Sequence, residues 1–212
     1  MPSICLGTTL PEQNEEDLFL ELLTKANNPN QSNVEIIANN DALTRFAFDY
    51  PDSRFADDSQ ILPILMSFFG AATAKDKKGA ELFIPFIERS VSKFPNGKIE
   101  KETISKLEEI FGSGNGAFLV PNDNLLNYFR GFLAFELQEF NEAIKYYTIL
   151  KDELDYSIDP DGYLARDIYL PLAISYKKLN KLSELSELER EAKRRFPNNK
   201  DLLSFITSII DK

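Results

Sequence analysis

Residues 124–150 read NLLNYFRGFLAFELQEFNEAIKYYTIL, and the helix pairing of this chain can be worked out from them. Apolar side chains recur at three- and four-residue steps from Leu125 to Phe135, which is the spacing of one face of a helix. A second run with similar periodicity begins at Phe140, after a short polar break. The small residues at places where two helices would approach closely are Gly131, Ala134 and Ala143. The stretch therefore predicts two helices packed against each other.

This pattern resembles a tetratricopeptide repeat (TPR), in which the first helix has a small residue at its eighth place and an alanine follows at the twentieth. With Gly131 at the eighth place, the seventeenth, twentieth and twenty-fourth places are taken by Phe140, Ala143 and Tyr147. A second copy has Ala173 at the eighth place, and its eleventh, twenty-seventh and thirty-second places are Tyr176, Ala192 and Pro197. The resemblance implies an all-α fold, in which antiparallel helix pairs stack in a right-handed superhelix.

The resemblance also implies a set of candidate binding residues, because the concave face of a TPR stack is built from first-helix positions. On the two TPR-like units these positions are Tyr128, Phe132, Phe135, Glu136, Asp167, Leu170, Ile174, Lys177 and Lys178. An aromatic floor with lysines on one wall would suit a peptide or a partner helix. The alternative is that the aromatic residues simply belong to the core. The polar clamp with which TPR chaperone adaptors hold a terminal carboxylate is not reproduced, since Tyr128 and Phe132 occupy its places.

Capping and turn signals divide the rest of the chain into further helices. Two capping boxes, Thr9-Leu-Pro-Glu12 and Ser32-Asn-Val-Glu35, predict helix starts. Pro63 is predicted to kink the third helix, and residues 76–79 are predicted to form a turn before the fourth. The predicted helices cover about 9–26, 32–49, 54–75, 80–93 and 100–111, followed by 123–137, 140–154, 162–179, 183–195 and 201–210.

The glycine-rich stretch at residues 112–116 is the best candidate for a boundary between two halves. We expect a divergent helical-repeat half at 9–111, a linker with a short extended segment at 112–121, and a TPR-like half with a capping helix at 122–212. Pro63 and Pro171 stand in similar phrases 108 residues apart, which indicates an internal duplication of two five-helix halves. The alternative is chance convergence of proline-bearing helices. The apolar segment Ala117–Val120 could itself occupy the groove.

Charge and hydropathy exclude several classes of partner. With 24 Lys and Arg against 34 Asp and Glu, the formal net charge is −10, which disfavours nucleic acids and anionic membranes as partners. No apolar run approaches the roughly 20 residues that cross a bilayer, so no membrane span is predicted. The first residues lack the features of a signal peptide, and we expect a cytoplasmic protein. Removal of a leader would instead place it in the periplasm or the cell envelope.

A second resemblance is carried by Tyr50-Pro-Asp-Ser-Arg-Phe-Ala56. This phrase is similar to the joint between helix pairs in bacterial cell-envelope TPR proteins, such as the outer-membrane-protein assembly lipoproteins of the BamD kind. It implies a bacterial source. The chain departs from that family because it shows no lipoprotein signal and its first-half helices fit the repeat consensus poorly. The alternative is an ordinary helix stop followed by a cap.

The residues that most enzyme chemistry needs are scarce. The chain has no histidine, which removes the commonest general base and metal ligand, and its one cysteine is Cys5. The paired acids Asp57/Asp58 and Glu108/Glu109 are expected on the surface or in helix caps, and Glu136 is the one carboxylate set among aromatic residues. Residues 157–168 resemble a calcium loop, but its last ligand position is Ile168, so a capped turn is expected. No cofactor or metal is predicted.

The sequence thus predicts a non-enzymatic scaffold or adaptor that binds a protein or peptide in a concave groove. One alternative is a helical enzyme or ligand-binding domain that uses carboxylates. Another is a structural subunit of a larger bacterial envelope assembly. The sequence leaves the oligomeric state open.

Overall fold

The computed structural model describes residues 14–28, 30–111, 119–159 and 162–211. Over these ranges the chain is all-α and contains no strand, which confirms the all-α part of the predicted fold. The α-helices are α1 Glu15–Ala26, α2 Asn33–Asp49, α3 Ala56–Thr73, α4 Lys77–Glu81, α5 Ile84–Lys93, α6 Lys101–Phe111, α7 Asn122–Glu136, α8 Phe140–Glu153, α9 Tyr163–Lys178, α10 Leu182–Arg195 and α11 Lys200–Ile210. A single 3₁₀ turn, Tyr156–Ile158, precedes α9.

Side-chain caps explain where several helices begin. The Glu35 amide donates to the Ser32 hydroxyl and the Ser32 amide donates to the Glu35 carboxylate, so the capping box predicted at the start of α2 is present. Side chains also accept hydrogen bonds from first-turn amides at the starts of α1, α4 and α11, where the capping residues are Asn14, Asp76 and Asn199. The box predicted at residues 9–12 lies outside the described residues.

Three prolines lie within helices and have different effects. Pro63 and Pro171 are inside α3 and α9, and the helices continue for ten and seven residues beyond them. Pro85 is the second residue of α5, where its missing amide would have no intrahelical acceptor in any case. The prediction of one fourth helix is therefore wrong, because the chain forms two helices there, α4 and α5. Residues 77–79, predicted as a turn, belong to α4.

Successive helices pack against one another along the chain. α2 packs against α1 and α3, α3 packs against α5, and α7 packs against both α3 and α5. The order then repeats, since α8 packs against α7 and α9, α9 packs against α10, and α11 packs against both α9 and α10. Each new helix pair thus covers the pair before it.

α6 departs from this series and packs against α1. In the predicted duplication, α6 and α11 are the last helices of the two halves. In the structure these two helices pack differently. α11 is placed relative to α9 and α10 as α7 is placed relative to α3 and α5. The start of α6 is tied to the start of α3, because the Asp58 carboxylate accepts hydrogen bonds from the Thr103 hydroxyl and from the Glu100 amide at 3.1 Å.

The buried apolar side chains form one connected core, which reaches from Phe19 in α1 to Ile206 in α11. Gly131 and Ala173, the small residues of the two TPR-like units, are both buried. The helices on either side of residues 112–118 therefore share a core. The predicted boundary at 112–116 itself lies outside the described residues, as do Ala117 and Phe118.

Candidate functional site

Four helices, α3, α6, α7 and α9, surround an open cavity of about 630 Å³. Tyr147 of α8 adds to its inner wall. The other lining residues, in the order of the helices, are Met66, Phe69 and Thr73, then Ile104, Leu107 and Glu108, then Tyr128, Phe132, Phe135 and Glu136, and finally Arg166, Asp167, Leu170, Pro171 and Ile174. This cavity is the candidate site.

The structure brings together seven of the nine residues that the TPR resemblance singles out. Those that line the cavity are Tyr128, Phe132, Phe135, Glu136, Asp167, Leu170 and Ile174. They share one face on each helix, and packing fixes the adjacent face: Gly131 of α7 lies against α8, and Ala173 of α9 is fully buried. The spacing of three and four residues on α7 and α9 then turns the remaining positions toward a common space.

Lys177 and Lys178 do not line the cavity. The Lys177 ammonium group donates instead to the backbone carbonyl of Ile210 at 3.2 Å, and the Lys178 side chain is exposed. Both lysines lie beyond Ile174 toward the end of α9, where α11 packs. The lysine wall expected from the sequence is therefore absent from this cavity.

The floor of the cavity is an aromatic cluster. The ring of Phe69 on α3 meets the ring of Phe132 edge-on, with centroids 5.0 Å apart and planes at 90°. Tyr128 lies deeper, at 3% exposure, and the ring of Tyr147 is edge-on to it. Burial raises the pKa of the Tyr128 hydroxyl well above its usual range, so this group stays neutral. The floor is thus apolar and rigidly packed, while Phe132 and Phe135 are only half-buried.

The charged side chains around the cavity are mostly acidic. Glu108 comes from α6, Glu136 from α7, and Asp167 from α9, against a single base, Arg166. The Arg166 guanidinium lies 3.7 Å from the Asp167 carboxylate. The rim as a whole therefore has a formal charge of −2.

Two walls of the cavity were missed by the sequence reasoning. α3 contributes Met66, Phe69 and Thr73. Met66 could have been found from the sequence, because the 108-residue offset between the proline phrases makes it the equivalent of Ile174. α6 contributes Ile104, Leu107 and Glu108. No local pattern indicated that α6 would lie here. Leu119 and Val120 pack against the core and do not line the cavity.

The paired acids Asp57 and Asp58 are buried, at 9% and 0% exposure, which corrects the expectation that they lie on the surface. They stand in the first turn of α3, where the chain leading into α6 covers them. Loss of hydration raises the pKa of Asp58 to about 8, with smaller contributions from the charges of Asp57 and Glu100. Burial raises the pKa of Asp57 as well. Neither carboxylate lines the cavity.

The residues that resemble a calcium loop serve as a helix cap. Both carboxylate oxygens of Asp159 accept backbone hydrogen bonds at the start of α9, from the Tyr163 amide at 2.8 Å and the Ala165 amide at 3.0 Å. Asp161, the next candidate ligand, lies outside the described residues. Among the described residues, no group of three or more His, Cys, Asp or Glu side chains is arranged to hold a metal ion.

Comparison of the chain with protein-family models, with curated proteins and with solved structures found no match. Within the described ranges, none of the helices combines the length and the hydropathy needed to cross a membrane.

Proposed function

We propose that this chain is a non-enzymatic scaffold or adaptor with a TPR-like arrangement, which binds a segment of another protein in the cavity between α3, α6, α7 and α9. One observation carries the proposal. Side chains from four helices, spread along the chain from α3 to α9, meet around a single open cavity with an aromatic floor. Helical-repeat proteins use such concave surfaces to bind extended or helical segments.

The order of helix packing supports the TPR-like arrangement. Read as successive pairs, the helices are α1/α2, α3/α5, α7/α8 and α9/α10, with α11 covering the last pair. In this reading α3, α7 and α9 are all first helices, and first helices form the concave face of a TPR stack. α6 is then an additional helix on that face, and the proposed repeat unit is the pair and not a five-helix half.

The exposure of the cavity residues supports a binding role. Phe132, Phe135 and Leu170 are large apolar side chains that remain partly open to solvent at the cavity. Covering about 100 Å² of such surface is worth roughly 2.5 kcal/mol. A partner that placed apolar side chains there would gain affinity without reshaping the core.

The chemistry of the chain supports a role without catalysis. It has no histidine, and the two acids with raised pKa values, Asp57 and Asp58, lie away from the cavity. The carboxylates that do reach the cavity stand on its rim, beside aromatic side chains. Among the described residues this arrangement offers contact surface and charge, and its one ion pair, Arg166 with Asp167, is not suited to acid–base catalysis because a guanidinium does not release its proton.

A small apolar ligand is a second candidate occupant, because a cavity of about 630 Å³ falls in the range of small-molecule sites, roughly 300–1,000 Å³. Mass spectrometry of a solvent extract from the purified protein distinguishes the two. One compound recovered in a one-to-one ratio would favour the small ligand.

The test of the proposed function fills the cavity without removing any core side chain. Thr73 and Ser67 are exposed on the same helix, and each hydroxyl donates to the carbonyl four residues earlier, but only Thr73 lines the cavity. We expect Thr73→Trp to abolish capture of a partner protein from an extract of the source cells, and Ser67→Trp to leave capture unchanged. Equal capture by both variants would exclude the cavity as the binding site.

A further inference from the structure

The proposal here rests on the proposed function and concerns the chemistry of the partner. We infer that the segment bound in the cavity is basic and amphipathic, with apolar side chains on the aromatic floor and a Lys or Arg side chain beside Glu108 and Glu136. The inference comes from the charge of the rim and from the nature of the floor.

Glu108 and Glu136 line the cavity from two different helices, α6 and α7. Neither carboxylate forms an ion pair with any of the described residues, whereas the neighbouring Glu109 and Glu139 pair with Lys106 at 2.8 Å and Lys77 at 2.6 Å. A Lys or Arg side chain of the partner would form the ion pair that these two carboxylates lack within the described residues. A partner carboxylate would meet two like charges instead, which disfavours acidic segments.

The floor also favours a cation. A Lys or Arg group that enters the cavity comes close to the aromatic side chains of Phe132 and Phe135, and aromatic rings can attract cations. The methylene stem of the same side chain can cover apolar surface while its charged end stays at the rim. One basic residue can therefore contact both the floor and the acidic rim.

The net charge of the whole chain also favours a basic partner. A formal net charge of −10 attracts basic segments over distances of about a Debye length, which is roughly 8 Å at physiological ionic strength. The lysines expected along the cavity would have opposed this selectivity. They lie outside it, with Lys177 bonded to the end of α11.

α6 shows that this face of the stack accepts an amphipathic segment. It buries Thr103 and Leu107, one turn apart, against the stack and leaves Lys101 and Ser105 exposed. The cavity continues this surface from α6 toward α7 and α9. A partner segment bound there would lie beside α6.

The test selects peptides from a random library of 12-residue peptides displayed on phage, using the full chain as bait. Peptides that bind the Ser67→Trp protein and not the Thr73→Trp protein are the cavity-dependent set. Their affinities are then measured by fluorescence anisotropy against Glu108→Gln/Glu136→Gln. The control is Glu109→Gln/Glu139→Gln, which removes the same charge from the same two regions outside the cavity.

We expect the cavity-dependent peptides to be enriched in Lys and Arg next to aromatic or aliphatic residues. The cavity variant should weaken their binding about tenfold, and the control should weaken it less than about twofold. Glu108→Lys/Glu136→Lys should instead select acidic peptides. Circular dichroism and melting curves confirm that each variant is folded.

Two results would overturn parts of this account separately. Cavity-dependent peptides without enrichment in Lys or Arg, or with affinities unchanged by the cavity variant, would overturn the basic partner and leave the proposed function in place. A selection that yields no peptide sensitive to Thr73→Trp would overturn both.

Discussion

Gly131 on α7 lies directly against the ring of Tyr147 on α8. A Cβ atom at Gly131 would stand 3.4 Å from Cε2 of Tyr147 and 3.3 Å from Cβ of Tyr146. These contacts set how closely α7 and α8 approach, and they fix which face of α7 remains for the cavity. The candidate site therefore depends on a small residue at this position.

The first prediction compares the stability of two variants in which a helical glycine is replaced by leucine. Gly131→Leu should lower the free energy of unfolding by about 2–3 kcal/mol, because the added atoms have no space between α7 and α8. Gly70→Leu on α3 has no atom within 4 Å of the new Cβ and should raise it, by up to about 0.8 kcal/mol from helix propensity. Urea unfolding measures both. Equal effects would show that α7 and α8 do not pack closely at Gly131.

The second prediction concerns Asp58. Its folded pKa of about 8 lies above the unfolded value of about 3.9, so the folded protein keeps a proton that the unfolded chain releases. The stabilisation that comes from this retained proton is complete below about pH 4. It is lost as the pH rises toward 8, at about 1.4 kcal/mol per pH unit. Asp58→Asn mimics the protonated carboxyl, so the stability of the variant relative to the parent protein should increase between pH 5 and pH 8, by about 1.4 kcal/mol per pH unit.

The groups around Asp58 determine how much of the pH dependence of stability remains in the Asp58→Asn variant. Asp57 has a raised pKa of the same origin and should leave part of the pH dependence in place. Arg54 lies near the start of α6 and pairs with Glu102 at 3.3 Å and Glu16 at 2.8 Å, which reduces the local negative charge. The measurement is urea unfolding at pH 5, 6.5 and 8. A difference between variant and parent that does not change with pH would contradict the buried proton.

Much of the fold was predictable because its signals are local. The capping box at Ser32 and Glu35 fixes the start of α2 within three residues of chain. Gly131 and Ala173 indicated which faces of α7 and α9 are packed, and the candidate residues on the adjacent faces, including Phe132 and Ile174, line the cavity. These inferences need only helix periodicity and the size of a side chain.

The parts that could not be predicted depend on contacts between distant residues. The pattern of Thr103 and Leu107 shows that α6 has one buried face, but the acceptor for Thr103 is Asp58, on another helix. The periodicity of α9 continues through Lys177 without showing that α11 would pack there and end the cavity. The helix predicted at 80–93 contains Pro85, and only the structure shows that α4 ends at Glu81 and that α5 begins at Ile84.

The third prediction concerns a polar network that joins α8, α9 and α10. The Glu191 carboxylate pairs with Lys151 at 2.9 Å and Arg195 at 3.2 Å, and the Tyr169 hydroxyl donates to it at 3.2 Å. Burial raises the pKa of Tyr169 to about 12, so its hydroxyl remains a donor. Glu191→Ala should cost about 1–3 kcal/mol of unfolding free energy, since Arg195 loses its carboxylate partner and Lys151 keeps only that of Asp152.

The control for Glu191 is on the same helix. Glu187 pairs with Arg190 at 3.5 Å, and both side chains are largely exposed, at 75% and 73%. Glu187→Ala should therefore change the melting temperature little. If the two alanine variants have the same melting temperature, the network around Glu191 contributes no more to stability than an exposed ion pair does.

The fourth prediction concerns how α6 is held over the stack. Thr103→Val keeps the shape of the side chain and removes the hydroxyl that donates to Asp58, whereas Ser105→Val alters an exposed residue on the same helix. Because Thr103 is fully buried, the variant leaves Asp58 Oδ2 with only the Glu100 amide as donor. Opening of α6 should then become easier by about 1–2 kcal/mol.

Hydrogen exchange followed by mass spectrometry measures that opening. Amides of residues 104–110 should exchange about tenfold faster in Thr103→Val than in the parent protein, while amides of α8 should be unchanged. Ser105→Val should leave both sets near the parent rates. Faster exchange in α8 as well would mean that the variant weakens the whole fold. Unchanged exchange at 104–110 would mean that α6 is held by its apolar contacts, above all Leu107, and that the hydrogen bond to Asp58 adds no measurable stability to the wall of the cavity.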